Sequence, residues 1–136
     1  MSANRLSTTV RTALAQAIIT AAGATGAKLK LYNGTIPAAV GAVTGGNTLL
    51  ASGQWAAVPM GTATSGAIDF DEANFTQTSS GFTNGTPTFA DITTSGDTVV
   101  HRIELNVTNG WTFTGSVVQG QNLSLSSLSA TMPGAT

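Results

Sequence analysis

The chain has 136 residues and a mass of 13.6 kDa, the size of one ordinary domain. Charged residues make up only 8% and the net charge is −1, against about 25% charged residues in typical soluble domains; this argues against a basic nucleic-acid footprint and a polybasic membrane patch. With no cysteine and a single histidine, His101, disulfides, thiolate metal sites, cysteine nucleophiles and multi-histidine metal centres within one chain are excluded.

Helical periodicity comes first. Leu6, Val10, Leu14, Ala17, Ile18 and Ala21 recur at spacings of three and four, forming one apolar stripe. Ser7 is placed to cap the N-terminus and Gly23 to end the helix, so a helix is expected over about 8–22. The Ala-rich 13–22 segment is interrupted by Gln16 and Thr20 and is not the apolar core of a cleaved signal. No run of 18 apolar residues is present, so no membrane partner is expected.

After Gly26 the period changes to two. Lys28-Leu29-Lys30-Leu31-Tyr32 alternates and runs into an Asn33-Gly34 turn. Residues 37–47, rich in Pro, Ala and Gly, read as a loop. Strands are expected at 48–51, 55–59 and 67–70, and residues 71–88 read as loop with at most a short edge strand. The strongest strand pattern is 98–107, with Val99, His101, Ile103, Leu105 and Val107 on one face. Asn109-Gly110 is a hairpin signal that would pair it with 111–118. A last strand is expected over 122–132, where a change of parity suggests a bulge near Ser126-Ser127.

Several short strands after one helix give the expected fold class. It is mainly β, an antiparallel β-sandwich or jelly-roll-like domain, with one N-terminal α-helix or arm. The expected organisation is a helical arm over 1–24 and a β-sandwich domain over 25–136, with Gly23-Ala24-Thr25-Gly26 between them.

Few residues invite a chemical reading. Asp69, Asp71 and Glu72 form the one acidic run. They match only the start of a calcium loop, and alternation separates Glu72 from the two aspartates, so a solvated strand end is favoured. His101 would need a nearby nucleophile and an orienting carboxylate to act as a general base. No Gly-x-Ser-x-Gly elbow accompanies it, and a packed or interfacial histidine is favoured. No phosphate-binding glycine pattern is present. Asn33, Asn74, Asn84, Asn106 and Asn122 begin Asn-x-Ser/Thr sequons, expected by chance in a chain about a quarter Ser and Thr. Trp55 or Trp111 could present a stacking platform for carbohydrate, but core packing of Trp111 with Phe113 is the stronger expectation. No catalytic residue, cofactor or metal is expected.

Four stretches carry a family resemblance. They are Arg5-Leu6-Ser7-Thr8-Thr9-Val10-Arg11-Thr12-Ala13-Leu14, the Leu29–Ala38 strand and turn, Gly46-Asn47-Thr48-Leu49-Leu50-Ala51, and Gly120-Gln121-Asn122-Leu123-Ser124-Leu125-Ser126-Ser127. Together they resemble a group of small structural proteins encoded by tailed bacteriophages; residues 52–97 lie outside the likeness. Arg102-Ile103 lies where such proteins often carry an apolar strand, but the surrounding residues depart from that pattern. The resemblance implies a non-enzymatic virion component made in the host bacterial cytoplasm, nearest in size and composition to capsid decoration, or cement, proteins. The implied partners are the major capsid protein or other virion proteins, together with further copies of the chain as a dimer or trimer. A neck, tail or head-fibre base protein is the alternative, and a carbohydrate-binding module a more distant one. The residues expected to meet a partner are Arg5, Leu6, Val10, Arg11 and Leu14 of the arm, the 37–47 loop, and Phe75 and Phe82 as aromatic anchors.

Overall fold

The computed structural model describes residues 5–41, 45–77, 83–107, 110–119, 121, 123, 125 and 128–132. Helix α1 spans Thr8–Ala22, as its periodicity and caps require. The Ser7 side chain accepts a hydrogen bond from the Val10 amide, and Gly23 ends the helix at φ 105°, where its amide reaches the Ile19 and Thr20 carbonyls. A side-chain cap of this kind contributes about 1 kcal/mol.

Among the described residues nine strands follow: β1 (Lys28–Tyr32), β2 (Leu49–Trp55), β3 (Gly61–Thr64), β4 (Ala67–Phe70), β5 (Phe75–Gln77), β6 (Phe89–Thr93), β7 (Val99–Glu104), β8 (Thr112–Phe113) and β9 (Leu128–Thr131). They form a five-stranded sheet in the order β5-β2-β1-β6-β7 and a four-stranded sheet in the order β3-β4-β9-β8. The strand pairings are antiparallel. The fold is therefore mainly β, two antiparallel sheets with one N-terminal helix, consistent with a β-sandwich.

The alternation in β1 places its residues as the sequence requires. Leu29 and Leu31 enter the core between the sheets, and Lys28 and Lys30 lie on the other face. A chain of rings crosses the core: Phe75 against Trp55 (4.9 Å), Trp55 against Phe70 (5.9 Å), Phe70 edge-on to Trp111 (5.7 Å), and Trp111 against His101 (5.3 Å). The Trp55 indole satisfies its N–H on the Asp71 carbonyl at 3.0 Å. Burial on this scale makes these rings a large part of the core's apolar stabilisation.

Three expectations need correction, and two strands, β3 and β6, carry no expectation from the sequence. Trp55–Pro59 is not a separate strand; Trp55 ends β2, which runs on from Leu49. β3 closes onto β4 through a two-residue Ser65-Gly66 turn with both residues at positive φ, a hairpin signal left unread. β6, to which the sequence reading assigns no strand, is the second strand in from the β7 edge and is buried along its whole length. Its alternation is hidden because Phe89, Asp91 and Thr93 are covered on the outer face while Ala90 and Ile92 are covered on the inner one. The hairpin expected between 98–107 and 111–118 does not form. β7 ends at Glu104, Asn106 turns at φ 60°, and β8 pairs with β9 in the opposite sheet. One bridge, Leu105 to Trp111, marks where the chain crosses between sheets. The last strand begins at Leu128 rather than 122; Asn109 and the Ser126-Ser127 bulge lie outside the described residues.

The helix is not a free arm. Ala15, Ile19 and Ala22 belong to the same buried cluster as the strands, so the boundary expected after residue 24 does not separate two cores. The Ser65-Gly66 turn is the anchor. The Gly66 amide donates to the Thr12 hydroxyl at 2.9 Å, and a Cβ at Gly66 would collide with the Arg11 guanidinium.

Candidate docking surface

The helix docks by a different face from the one its sequence advertises. Small residues, Ala15 and Ala22, flank Ile19 on the buried side and let the helix approach the strands closely. The stripe of larger residues is left open. Val10 is 45% exposed and Leu14 39%, and Ala17 and Ala21 are exposed beside them. At 3.6 residues per turn, positions 10, 14, 17 and 21 fall within about 60° of arc. This face borders a groove of about 350 Å³ between α1 and β7, lined by Leu14, Ile18, Ile103, His101, Trp111 and Met132 among others.

The expected partner-binding residues are scattered by the fold. Arg5 is exposed and Leu6 half-buried. Arg11 is turned back into the protein: its Nε donates to the Leu6 carbonyl at 3.3 Å and its Nη2 to the Thr8 hydroxyl at 3.2 Å. Of the arm residues, Val10 and Leu14 share the open face. Phe75 is not a free anchor. Its ring packs on Trp55 and occupies the space over Gly53, where any Cβ would overlap it. Phe82 lies outside the described residues, as do 42–44 of the 37–47 loop.

That loop is tied down on both sides of its middle. The Asn47 side chain donates to the Asn33 and Thr35 carbonyls at 2.8 and 2.9 Å, and the Thr88 hydroxyl donates to the Gly34 carbonyl at 2.6 Å. Beneath it is the feature that sequence reasoning missed. Asp91 on β6 and Arg102 directly opposite on β7 form a two-pronged ion pair, with Nε to Oδ1 at 2.7 Å and Nη2 to Oδ2 at 2.8 Å. Arg102 also donates from Nη1 to the Ala39 carbonyl at 2.9 Å. Its guanidinium carbon lies 5.7 Å from the centre of the Phe89 ring, which stacks on Tyr32. Asp91 is 1% exposed. The Asp91 carboxylate holds the Arg102 guanidinium protonated even more firmly than usual. No local motif announces this pair, because its members are 11 residues apart and only strand register brings them together. The surface charges Lys28 and Lys30 are likewise drawn to one carboxylate oxygen of Asp97, at 2.9 and 3.0 Å, which lowers the Asp97 pKa.

His101 faces an indole. It packs tilted against Trp111 at the groove, and burial pushes its pKa down, opposed by the Asp91 carboxylate. Burial thus favours the neutral imidazole. Asp71 is engaged locally, accepting from the Asn74 amide and side chain at 3.2 and 2.9 Å. Among the described residues no group of three or more His, Asp or Glu side chains is arranged to hold a metal. Trp55 and Trp111 are 0% and 2% exposed, so neither offers a carbohydrate platform. The sequon residues serve local structure: Asn33, Asn84 and Asn106 each accept a backbone amide through the side-chain oxygen.

Comparison of the chain with known protein families, with curated proteins and with solved structures found no match.

Proposed function

We propose that this chain is a non-enzymatic structural protein of a tailed-bacteriophage virion, a decoration protein that binds the head shell. The observation that carries the reading is the uncovered apolar face of α1, where Val10 and Leu14 stand in solvent beside an apolar groove. A contiguous apolar surface on a small domain marks a surface that meets another protein. The family resemblance supplies the setting. The low charge supports it too: Asp91 and Arg102 are buried as a pair, Lys28 and Lys30 are neutralised at the surface by Asp97, and only 8% of the chain is charged, which suits close packing in an array. The mechanism is additive. Each copy that binds the assembled shell and not its free subunits shifts the equilibrium toward the shell by mass action.

The test is to incubate the purified protein with shells lacking it and count bound copies. Saturation at a fixed ratio, on the order of hundreds of copies per shell, is the expected result, as quasi-equivalent shell sites demand. Failure to bind shells, with about a dozen or fewer copies found in neck or tail fractions, would overturn the shell assignment in favour of the neck or tail alternative.

A further inference from the structure

Where α1 passes β7, the seam between them is left unfilled. The helix docks through Ala15, Ile19 and Ala22, and toward β7 it brings the short side chains of Ala17 and Ala21. The space that results is the groove of about 350 Å³. Trp111 and Met132, each 2% exposed, form its base. At the volume of liquid water such a space holds about a dozen molecules. Water there is poorly served, because a bound water needs several polar partners and this lining is almost wholly apolar. Apolar ligand atoms that displace such water gain affinity.

One group in the lining breaks the pattern. His101 lines the groove, packed tilted against Trp111 at 5.3 Å, and its imidazole makes no hydrogen bond to any described residue. A neutral imidazole, the form that burial favours, carries one N–H donor and one acceptor nitrogen. A hydroxyl can serve either nitrogen, because it both donates and accepts. No other described residue of the lining is ionisable, so a carboxylate or an ammonium ion would lose its hydration there without gaining a counter-charge. The lining therefore selects a neutral ligand with one hydroxyl on an apolar body. The Trp111 and His101 rings favour an aromatic body over an alkyl chain, since ring pairs add a geometric preference to simple burial. An apolar concavity of this size with a single well-placed polar group is the usual form of a small-molecule site.

We propose that this groove binds a neutral aromatic alcohol of about a dozen non-hydrogen atoms, with its ring against Trp111 and Met132 and its hydroxyl hydrogen-bonded to His101. The proposal goes beyond the docking role of the helix and does not rest on it.

The experiment titrates the full chain with 2-naphthol by calorimetry and by NMR. Saturable one-to-one binding is expected. The His101 and Trp111 ring resonances are expected to shift, while those of Trp55, on the far side of Phe70, stay in place. The wild-type chain gives the first comparison and needs no variant. Naphthol is expected to bind about fivefold more tightly than naphthalene, which lacks the hydroxyl, and naphthoate, which is charged, is expected to bind most weakly of the three. His101→Phe keeps a flat ring and removes both nitrogens. It is expected to weaken naphthol about fivefold and to leave naphthalene unchanged. Ala17→Phe adds bulk at an exposed helix position that lines the groove, and is expected to abolish binding of both. Thermal melts monitor folding of each variant.

Absence of saturable naphthol binding up to the solubility of the probe would overturn the proposal. So would naphthoate binding more tightly than naphthol, a His101→Phe protein that loses naphthol and naphthalene equally, or a naphthol affinity indifferent to Ala17→Phe. The two readings fail separately. A protein that binds shells but no naphthol loses this site alone, whereas one that binds naphthol but no shells loses the shell assignment alone.

Discussion

The outer face of the five-stranded sheet and the outer face of α1 invert the usual distribution of side chains. On the sheet, an aspartate and an arginine are buried, under a loop tied down by Asn47 and Thr88. On the helix, a valine and a leucine stand in solvent. Burial in this protein follows what covers a position, and polarity follows only where a partner exists. The charged pair is covered in part by residue 39 of the loop, whose carbonyl accepts from Arg102. The apolar stripe is bare because the helix used its small residues to dock.

The largest effect should come from breaking the buried pair. Asp91→Ala leaves Arg102 without its counter-charge in a covered site, at a cost of roughly 3–5 kcal/mol. Urea denaturation checks it. The double replacement of Asp91 and Arg102 by apolar residues of similar size should recover most of that loss, because no uncompensated charge remains. Next comes the docked face of the helix. Ile19→Ala, at a residue 4% exposed, should cost about 2–5 kcal/mol by the same measurement.

A smaller effect is expected from pH. His101 has its pKa lowered by burial from an ordinary value of 6.5. The unfolded chain then binds a proton more readily than the folded one below that value. Stability is complete above about pH 6.5 and falls as the pH drops from there toward the folded-state pKa. Denaturation midpoints at about pH 7.5 and pH 5 should differ, and His101→Gln should remove its share of the difference. The smallest effect sharpens the contrast between the two helix faces. Leu14→Ala should change the unfolding free energy of dilute protein by no more than about 0.5 kcal/mol, although the residue removed is as large as Ile19.

Legibility in the sequence tracked locality. Helix α1 was readable to its ends, because Ser7 and Gly23 act on amides and carbonyls within one turn. β1 was readable because one of its faces meets the core and the other carries lysines. β6 was not, because both of its faces are covered and its pattern carries no period. The Asp91–Arg102 pair was unreadable for the related reason that its two residues are neighbours only through strand register.

The helix shows the division most plainly. The sequence by itself determined that 8–22 is helical, that its residues 10, 14, 17 and 21 share a face, and that strands with alternating burial follow. Which face of the helix would be buried was decided by tertiary structure. Apolar periodicity measures the contrast around a helix, and the larger side chains dominate it. Docking is limited by how closely the backbone can approach, and the side of α1 that is buried carries the small residues Ala15 and Ala22 beside Ile19.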